Sequence, residues 1–212
     1  MLEETRLREE LARVCRKLEK KGFIAASDGN VSCRAGGDRL LITPGGKAKG
    51  DLKPLDFLLI DLEGNPAAGK GTVSSEVRMH LLVYRKRPDV MAIVHAHPPM
   101  LTAFTVAEIP FEAECLPEVW LTIGRVPTAP YATPSTEEVP DSITPHVENR
   151  QAILLARHGS LTFGKSATEA YLRLEKLEHA AHTLFYSRLL CGQLPRPLPK
   201  AELLKLDRLL TS

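Results

Sequence analysis

Val90-Met91-Ala92-Ile93-Val94-His95-Ala96-His97 decides how this chain reads. Residues 90–94 are apolar, the pattern of a buried strand, and the run ends in two histidines. Strand side chains alternate faces, so His95 and His97 point the same way, with roots roughly 6–7 Å apart for a rise of ~3.3 Å per residue. That separation lets two ring nitrogens converge on one metal ion, with a ligand from elsewhere completing a site that has room for substrate. Two solvated histidines at a strand end are the alternative.

Residues 152–156 read as another buried strand, running into Arg157-His158-Gly159. His158 then sits at a strand end, as His95 does, and the two ends can meet at one sheet edge. Three neutral imidazoles are a catalytic zinc set with an open position. Gly159 permits a close backbone approach or a positive φ beside it. An ordinary turn histidine is the competing reading of His158.

Around these strands the chain alternates helix and strand. Leu7, Leu11, Val14 and Leu18 mark an amphipathic helix over 2–21, with Gly22 as its stop. Ser27-Asp28-Gly29-Asn30-Val31-Ser32 reads as a polar loop. Strands are expected over 39–43 and 57–61, with turns at 44–47 and 63–66. A helix over 75–87 has Ser74 or Ser75 as its cap, and a short helix follows Pro98-Pro99. Residues 107–150 hold seven of the sixteen prolines and read as several short strands and turns. Residues 161–163 form a strand near 152–156. Ser166-Ala167-Thr168-Glu169 opens a long helix that Gly192 ends, and a terminal helix spans about 200–210. Strands interleaved with helices predict an α/β sheet covered by helices. No repeat or linker divides residues 1–212, so one domain is expected.

The chain has 212 residues and a formal net charge of +2, which gives no field for nucleic acid or a membrane surface. No apolar stretch approaches the roughly 18 residues that span a bilayer. Cys15, Cys33, Cys115 and Cys191 form no Cys-x-x-Cys pair or compact disulfide framework. With no signal-peptide core at the N-terminus, a reduced cytoplasmic protein is expected.

Other motifs read two ways. Ser74-Ser75-Glu76 at a helix start can bind an anion, but the local pattern favours simple capping. Gly29-Asn30 and Gly45-Gly46 are glycine turns that can cradle a phosphate or merely turn. His80 lies one helical turn after Glu76 and reads as orienting it or packing locally, not as a metal ligand. His179 and His182 read as surface or interface residues.

Taken together, residues 27–32, Thr43-Pro44-Gly45-Gly46, Ser74-Ser75-Glu76, His95-Ala96-His97 and His158-Gly159 resemble the class II aldolase/adducin family in order and separation. The resemblance runs from about residue 5 to 190 and is nearest to the L-fuculose-phosphate aldolase branch. It implies a three-layer αβα fold with a mostly antiparallel central sheet flanked by helices, in a homotetramer with sites near subunit interfaces. It implies that His95, His97 and His158 bind Zn2+ or another divalent metal. Gly29, Asn30, Gly45, Gly46, Ser74 and Ser75 would hold the substrate phosphate. Glu76 would be the general acid/base and a metal ligand in the resting state.

The implied reaction is cleavage of a small phosphorylated ketose, such as L-fuculose 1-phosphate, to dihydroxyacetone phosphate and a short aldehyde. The metal would stabilise the enediolate, and acid/base help of this kind is worth roughly 10²–10⁴ in rate. A pentulose-5-phosphate 4-epimerase, a methylthioribulose-1-phosphate dehydratase and a sugar-acid-phosphate decarboxylase share the metal set, and a non-catalytic adducin-like assembly domain shares the fold. The epimerase branch carries aspartate where this chain has Glu76. The fuculose-phosphate branch also uses a neighbour's tyrosine, and residues 111–115 here contain none. Its aromatic wall after Pro130-Tyr131-Ala132-Thr133 is Pro134 here, and its C-terminal aromatic has no match. Tyr131 reads as structural, and the acids Glu112, Glu114 and Glu118 are unassigned.

Overall fold

The computed structural model describes residues 2–209. The expected N-terminal helix is α1, Leu2–Lys20, and Gly22 follows it at φ +69°. The first strand, β1, Asn30–Arg34, begins within residues 27–32, the segment expected to be a loop. Its polar residues face a buried polar neighbourhood rather than water, which is why the composition misleads: Asn30 and Ser32 are 2% and 0% exposed. Then come β2, Arg39–Ile42, β3, Leu58–Asp61, and β4, Pro66–Ala68, so the turn at 63–66 closes a hairpin.

The helix expected over 75–87 is α2, Val77–Lys86, and the histidine strand is β5, Ala92–Ala96, buried throughout. Helix α3, Pro99–Val106, starts at Pro99, where a missing N–H costs nothing. The carboxylate of Glu178 satisfies the next two orphan donors, accepting from the N–H of Met100 and of Leu101 at 2.9 Å each.

Residues 107–150 depart most from expectation. They contain α4, Pro117–Thr122, and α5, Glu138–Val147, with one two-residue strand, β6, Thr128–Ala129. Two of the seven prolines begin helices here, and Pro145 lies inside one. Pro117 opens α4, and Pro140 sits in the first turn of α5, where N–H groups have no intrahelical partner. The remaining elements are β7, Ala152–Leu155, β8, Gly159–Gly164, α6, Ala167–Cys191, and α7, Lys200–Leu209. Ser166 caps α6 by accepting from the Glu169 N–H at 3.1 Å, and Gly192 ends it at φ +74°. Leu210, expected at the end of the last helix, lies outside the described residues.

One eight-stranded sheet runs in the order β4-β3-β2-β1-β5-β8-β7-β6. Its neighbours are antiparallel except β6 and β7, so the sheet is mixed. Helices cover both faces, giving three layers. Ala92, Val94 and Ala96 of β5 pack with Leu11 and Val14 of α1, Leu101 of α3 and Leu174 of α6. Ile93 faces the opposite layer with Met79 and Val83 of α2 and Ile143 of α5. Each large apolar side chain buried this fully contributes roughly 1.5–3 kcal/mol. The strand carrying the histidines is thus central, held by β1 on one side and β8 on the other.

Candidate active site

His95 is fully buried in β5, opposite Asn30 of β1 in the strand register. His97 lies just beyond the strand end, anchored by its N–H to the Phe23 carbonyl at 2.8 Å. His158 arrives by a route slightly different from the expected one. Strand β8, not β7, pairs with β5, and the tight β7–β8 hairpin places His158 beside the end of β5. Arg157 takes the left-handed turn conformation at φ +58°. Gly159 supplies the close approach and needs no positive φ: a Cβ there would lie 2.5 Å from the Ala96 carbonyl oxygen.

The three imidazoles converge, with one ring nitrogen from each lying within 4.8 Å of the others. Nε2 of His97 is 3.0 Å from Nε2 of His95. A zinc ion bonded at ~2.0–2.1 Å to two such nitrogens in a tetrahedron holds them about 3.3–3.4 Å apart. Nδ1 of His95 lies 2.9 Å from the Ser160 carbonyl, to which it donates. That contact leaves Nε2 unprotonated and facing inward, as a metal-binding histidine requires.

Glu76 completes the cluster. Its Oε2 lies 3.3 Å from His95 Nε2, and its Oε1 lies 3.1 Å from His158 Nε2. The Oε1–His158 approach lacks hydrogen-bond geometry, so Oε1 is a buried oxygen with no hydrogen-bond partner. Three converging imidazoles and an orphaned carboxylate oxygen form a donor set that fits a divalent cation. Burial opposes the charge on Glu76, but His95 and His158, when protonated, outweigh it and hold the carboxyl well below the usual range. Burial and the neighbouring His95 and His158 push His97 down to about 3, keeping its ring neutral.

A cavity of about 380 Å³ opens beside this cluster, and it is lined by Gly29, Asn30, Gly45, Gly46, Ser74 and Ser75 as well as Glu76, His97 and His158. Neither serine caps α2, which corrects the capping reading. Residue 76 precedes the helix, and no side chain caps it. Ser74 Oγ accepts from Asn30 Nδ2 at 3.3 Å and from the Glu76 N–H, ahead of the helix, at 3.4 Å, and Ser75 Oγ lies 2.8 Å from Ser135 Oγ. Gly29, at φ +70°, lies so close to β5 that a Cβ would stand 2.9 Å from the His95 carbonyl. Gly46, at φ +68°, faces open space, whereas the Gly45 N–H is engaged by the Thr72 carbonyl.

Five further lining residues had no site role assigned from the sequence: Ser27, Asp28, Lys49, Pro134 and Ser135. Lys49 is buried, and its Nζ donates to the Ser27 carbonyl at 2.7 Å and the Lys47 carbonyl at 2.9 Å. Burial lowers its pKa, partly offset by nearby acids including Asp28 and Glu76. No local pattern distinguishes it from Lys47, which points outward to Asp56. The unassigned acids do not join the site. Glu112 and Glu114 line a separate cavity, where Glu114 pairs with Arg125 at 3.1 Å. Tyr131, expected to be structural, is 60% exposed.

Comparison with known proteins agrees with this geometry. Residues 9–185 match the family model described as class II aldolase and adducin N-terminal domain. An L-fuculose phosphate aldolase of Methanococcus maripaludis is 36% identical over 169 residues, covering 80% of this chain and 91% of that protein. A 3-oxo-tetronate 4-phosphate decarboxylase of Escherichia coli strain K12 is 32% identical over 186 residues, covering 86% and 87%. Among solved structures, an L-fuculose 1-phosphate aldolase superposes with a TM-score of 0.88 at 28% identity, covering 97% of this chain and 96% of that one.

Proposed function

This chain belongs to the class II aldolase and adducin family and is a lyase, and on that premise we propose that it cleaves a small ketose 1-phosphate by a retro-aldol reaction. The products would be dihydroxyacetone phosphate and a short aldehyde. The observation that carries this reading is the convergence of His95, His97, His158 and Glu76 at the mouth of a cavity rich in serine and glycine.

Zinc or another divalent cation held by the three histidines would supply Lewis-acid stabilisation of the negative charge that develops on substrate oxygens. The chain's own groups do the rest. Ser74, Ser75, Asn30 and the backbone at Gly29 and Gly46 hold the phosphate, with Gly45 shaping the turn beside it, so that remote binding energy positions the reacting carbon. Lys49 brings the one permanent cation among the described lining residues. Glu76, ionised beside its histidine neighbours, moves a proton at the carbon next to the substrate carbonyl. Pro134 and Ser135 add a wall to the cavity, with Ser135 beside Ser75. We place the enzyme in the cytoplasm on its free thiols, as one domain and as a homotetramer, in keeping with the exposed Phe185, Tyr186, Leu189 and Leu190 of α6.

A second reading is favoured by two observations: the decarboxylase relatives, and the absence of tyrosine from residues 111–115. In that reading the same site releases carbon dioxide from a 3-oxo sugar-acid phosphate. A panel assay separates the two. Metal-loaded protein is given ketose 1-phosphates and a 3-oxo-acid 4-phosphate, with aldehyde and carbon dioxide measured separately. Glu76→Gln is the control, expected to bind phosphorylated analogues while losing proton exchange on dihydroxyacetone phosphate. Undiminished exchange in that variant would remove Glu76 from its role.

A further inference from the structure

Behind Glu76 a line of buried polar groups leads from Asn30, at the cavity wall, into the interior. Tyr84 Oη is 2.8 Å from Ser32 Oγ, and Ser32 Oγ is 2.6 Å from His80 Nδ1. His80 Nε2 is 2.5 Å from Asn30 Oδ1, and Asn30 Nδ2 is 2.8 Å from Glu76 Oε2. Ser32 and His80 are wholly inaccessible, and Asn30 and Tyr84 are each 2% exposed. His80 therefore touches Asn30 and Ser32, not Glu76 itself.

Chemistry fixes the direction of this line from its far end. An ionised carboxylate only accepts, so the Asn30 atom facing Glu76 is the amide nitrogen. The amide oxygen then faces His80 and needs a donor, which places a proton on Nε2. Burial, with His95 nearby, pushes the His80 pKa down to about 3, so the ring is neutral and carries that proton alone. Nδ1 is consequently an acceptor and takes the Ser32 hydroxyl proton. Ser32 Oγ in turn accepts from Tyr84, whose phenol burial keeps protonated. Every member is satisfied by one arrangement, with each donor aimed toward Glu76.

We infer that His80 is a positioning residue acting through Asn30: by holding the amide oxygen, it turns the amide N–H toward Glu76 and fixes the carboxylate. Its effect on turnover rests on the acid/base reading of Glu76, whereas the direction of the line does not. Without His80 the Asn30 side chain can rotate and present oxygen to the carboxylate, which repels it. A misplacement of about 1 Å in such a group costs on the order of 10²-fold in rate.

The test begins on the unmutated protein. Long-range 15N–1H correlation is expected to show His80 protonated on Nε2 and unprotonated on Nδ1. The opposite tautomer overturns the inference, whatever the activity. Two variants then separate positioning from packing. His80→Gln keeps a donor near the Nε2 position, and His80→Leu removes it. The Asn30 side-chain N–H protons are expected to stay protected from solvent exchange in the Gln variant and to lose protection in the folded Leu variant. In turnover, kcat is expected to fall on the order of 10²-fold in the Leu variant, with a smaller change in KM, and to be largely restored in the Gln variant. Equal behaviour of the two folded variants, or unchanged protection in the Leu variant, overturns the inference. If the unmutated protein turns over no sugar phosphate while tautomer and protection follow expectation, the functional reading fails and the positioning role of His80 stands.

Discussion

Gly159 lies directly against His97: a Cβ on residue 159 would come 2.6 Å from Cδ2 of the imidazole and 2.5 Å from the Ala96 carbonyl oxygen. Both contacts are far inside van der Waals separation, and one partner is central-strand backbone that cannot yield. The missing side chain is what lets the β7–β8 hairpin carry His158 up to its two partners.

Gly159→Ala is therefore expected to displace His97 or the hairpin. Overpacking of this kind costs about 1–3 kcal/mol. The purified variant should unfold at a lower denaturant midpoint and retain less than half the wild-type metal by elemental analysis. Full metal content at unchanged stability would show that the close approach is unnecessary.

His97→Ala leaves the β5 ladder intact, because His97 lies outside the strand. It should fold normally and lose most divalent-metal affinity. A ligand at 100 times its dissociation constant stabilises by about 2.7 kcal/mol, so zinc should raise the melting temperature of the wild type and barely move that of the variant. An equal shift in both proteins would exclude His97 as a ligand.

Lys49→Met removes the one permanent cation among the described lining residues and frees two loop carbonyls. A hydrogen bond to a charged group is worth about 1.5–3 kcal/mol, which is roughly 10–100-fold in affinity. KM for a phosphorylated ketose should rise by that factor, with little change for the unphosphorylated sugar. Equal losses on both sugars would assign Lys49 to loop closure alone.

Cys15 and Cys33 predict alkaline sensitivity. Burial pushes both thiols up to about 12 from an ordinary 9.0. The folded chain holds these protons more tightly than the unfolded chain does. Their contribution is thus fully present below pH 9 and is lost as pH rises toward 12. Urea unfolding from pH 8 to 11 should show stability falling, with a shallower slope in Cys15→Ala and Cys33→Ala. Identical slopes would exclude the thiols as the source.

The sequence disclosed the parts of the site whose spacing follows directly from strand geometry. His95 and His97 are two apart at the end of an apolar run and His158 follows another, so a shared site was a readable expectation, although solvated or turn histidines fitted the same spacing. Strand β1 was not, because Asn30 and Ser32 look like loop residues until His80 and Tyr84 are seen to receive them. Ser74 and Ser75 carry the signature of a helix cap, and only the position of Asn30 shows Ser74 turned elsewhere. Proline content misled over 107–150, since Pro117 and Pro140 occupy the turns of helices where an absent N–H is harmless. Lys49 was invisible because nothing in a run of residues says which of two lysines folds inward.

Three adjacent strands, β1, β5 and β8, fix the backbone that carries His95 through main-chain bonds, and β8 pairs with β7 to close the turn that carries His158. A cation held there would add to a ladder that the chain closes by itself, unlike small zinc modules in which the ion creates the structure. Since imidazole suits several first-row ions, such a site would leave the choice of ion to cellular supply as much as to the protein.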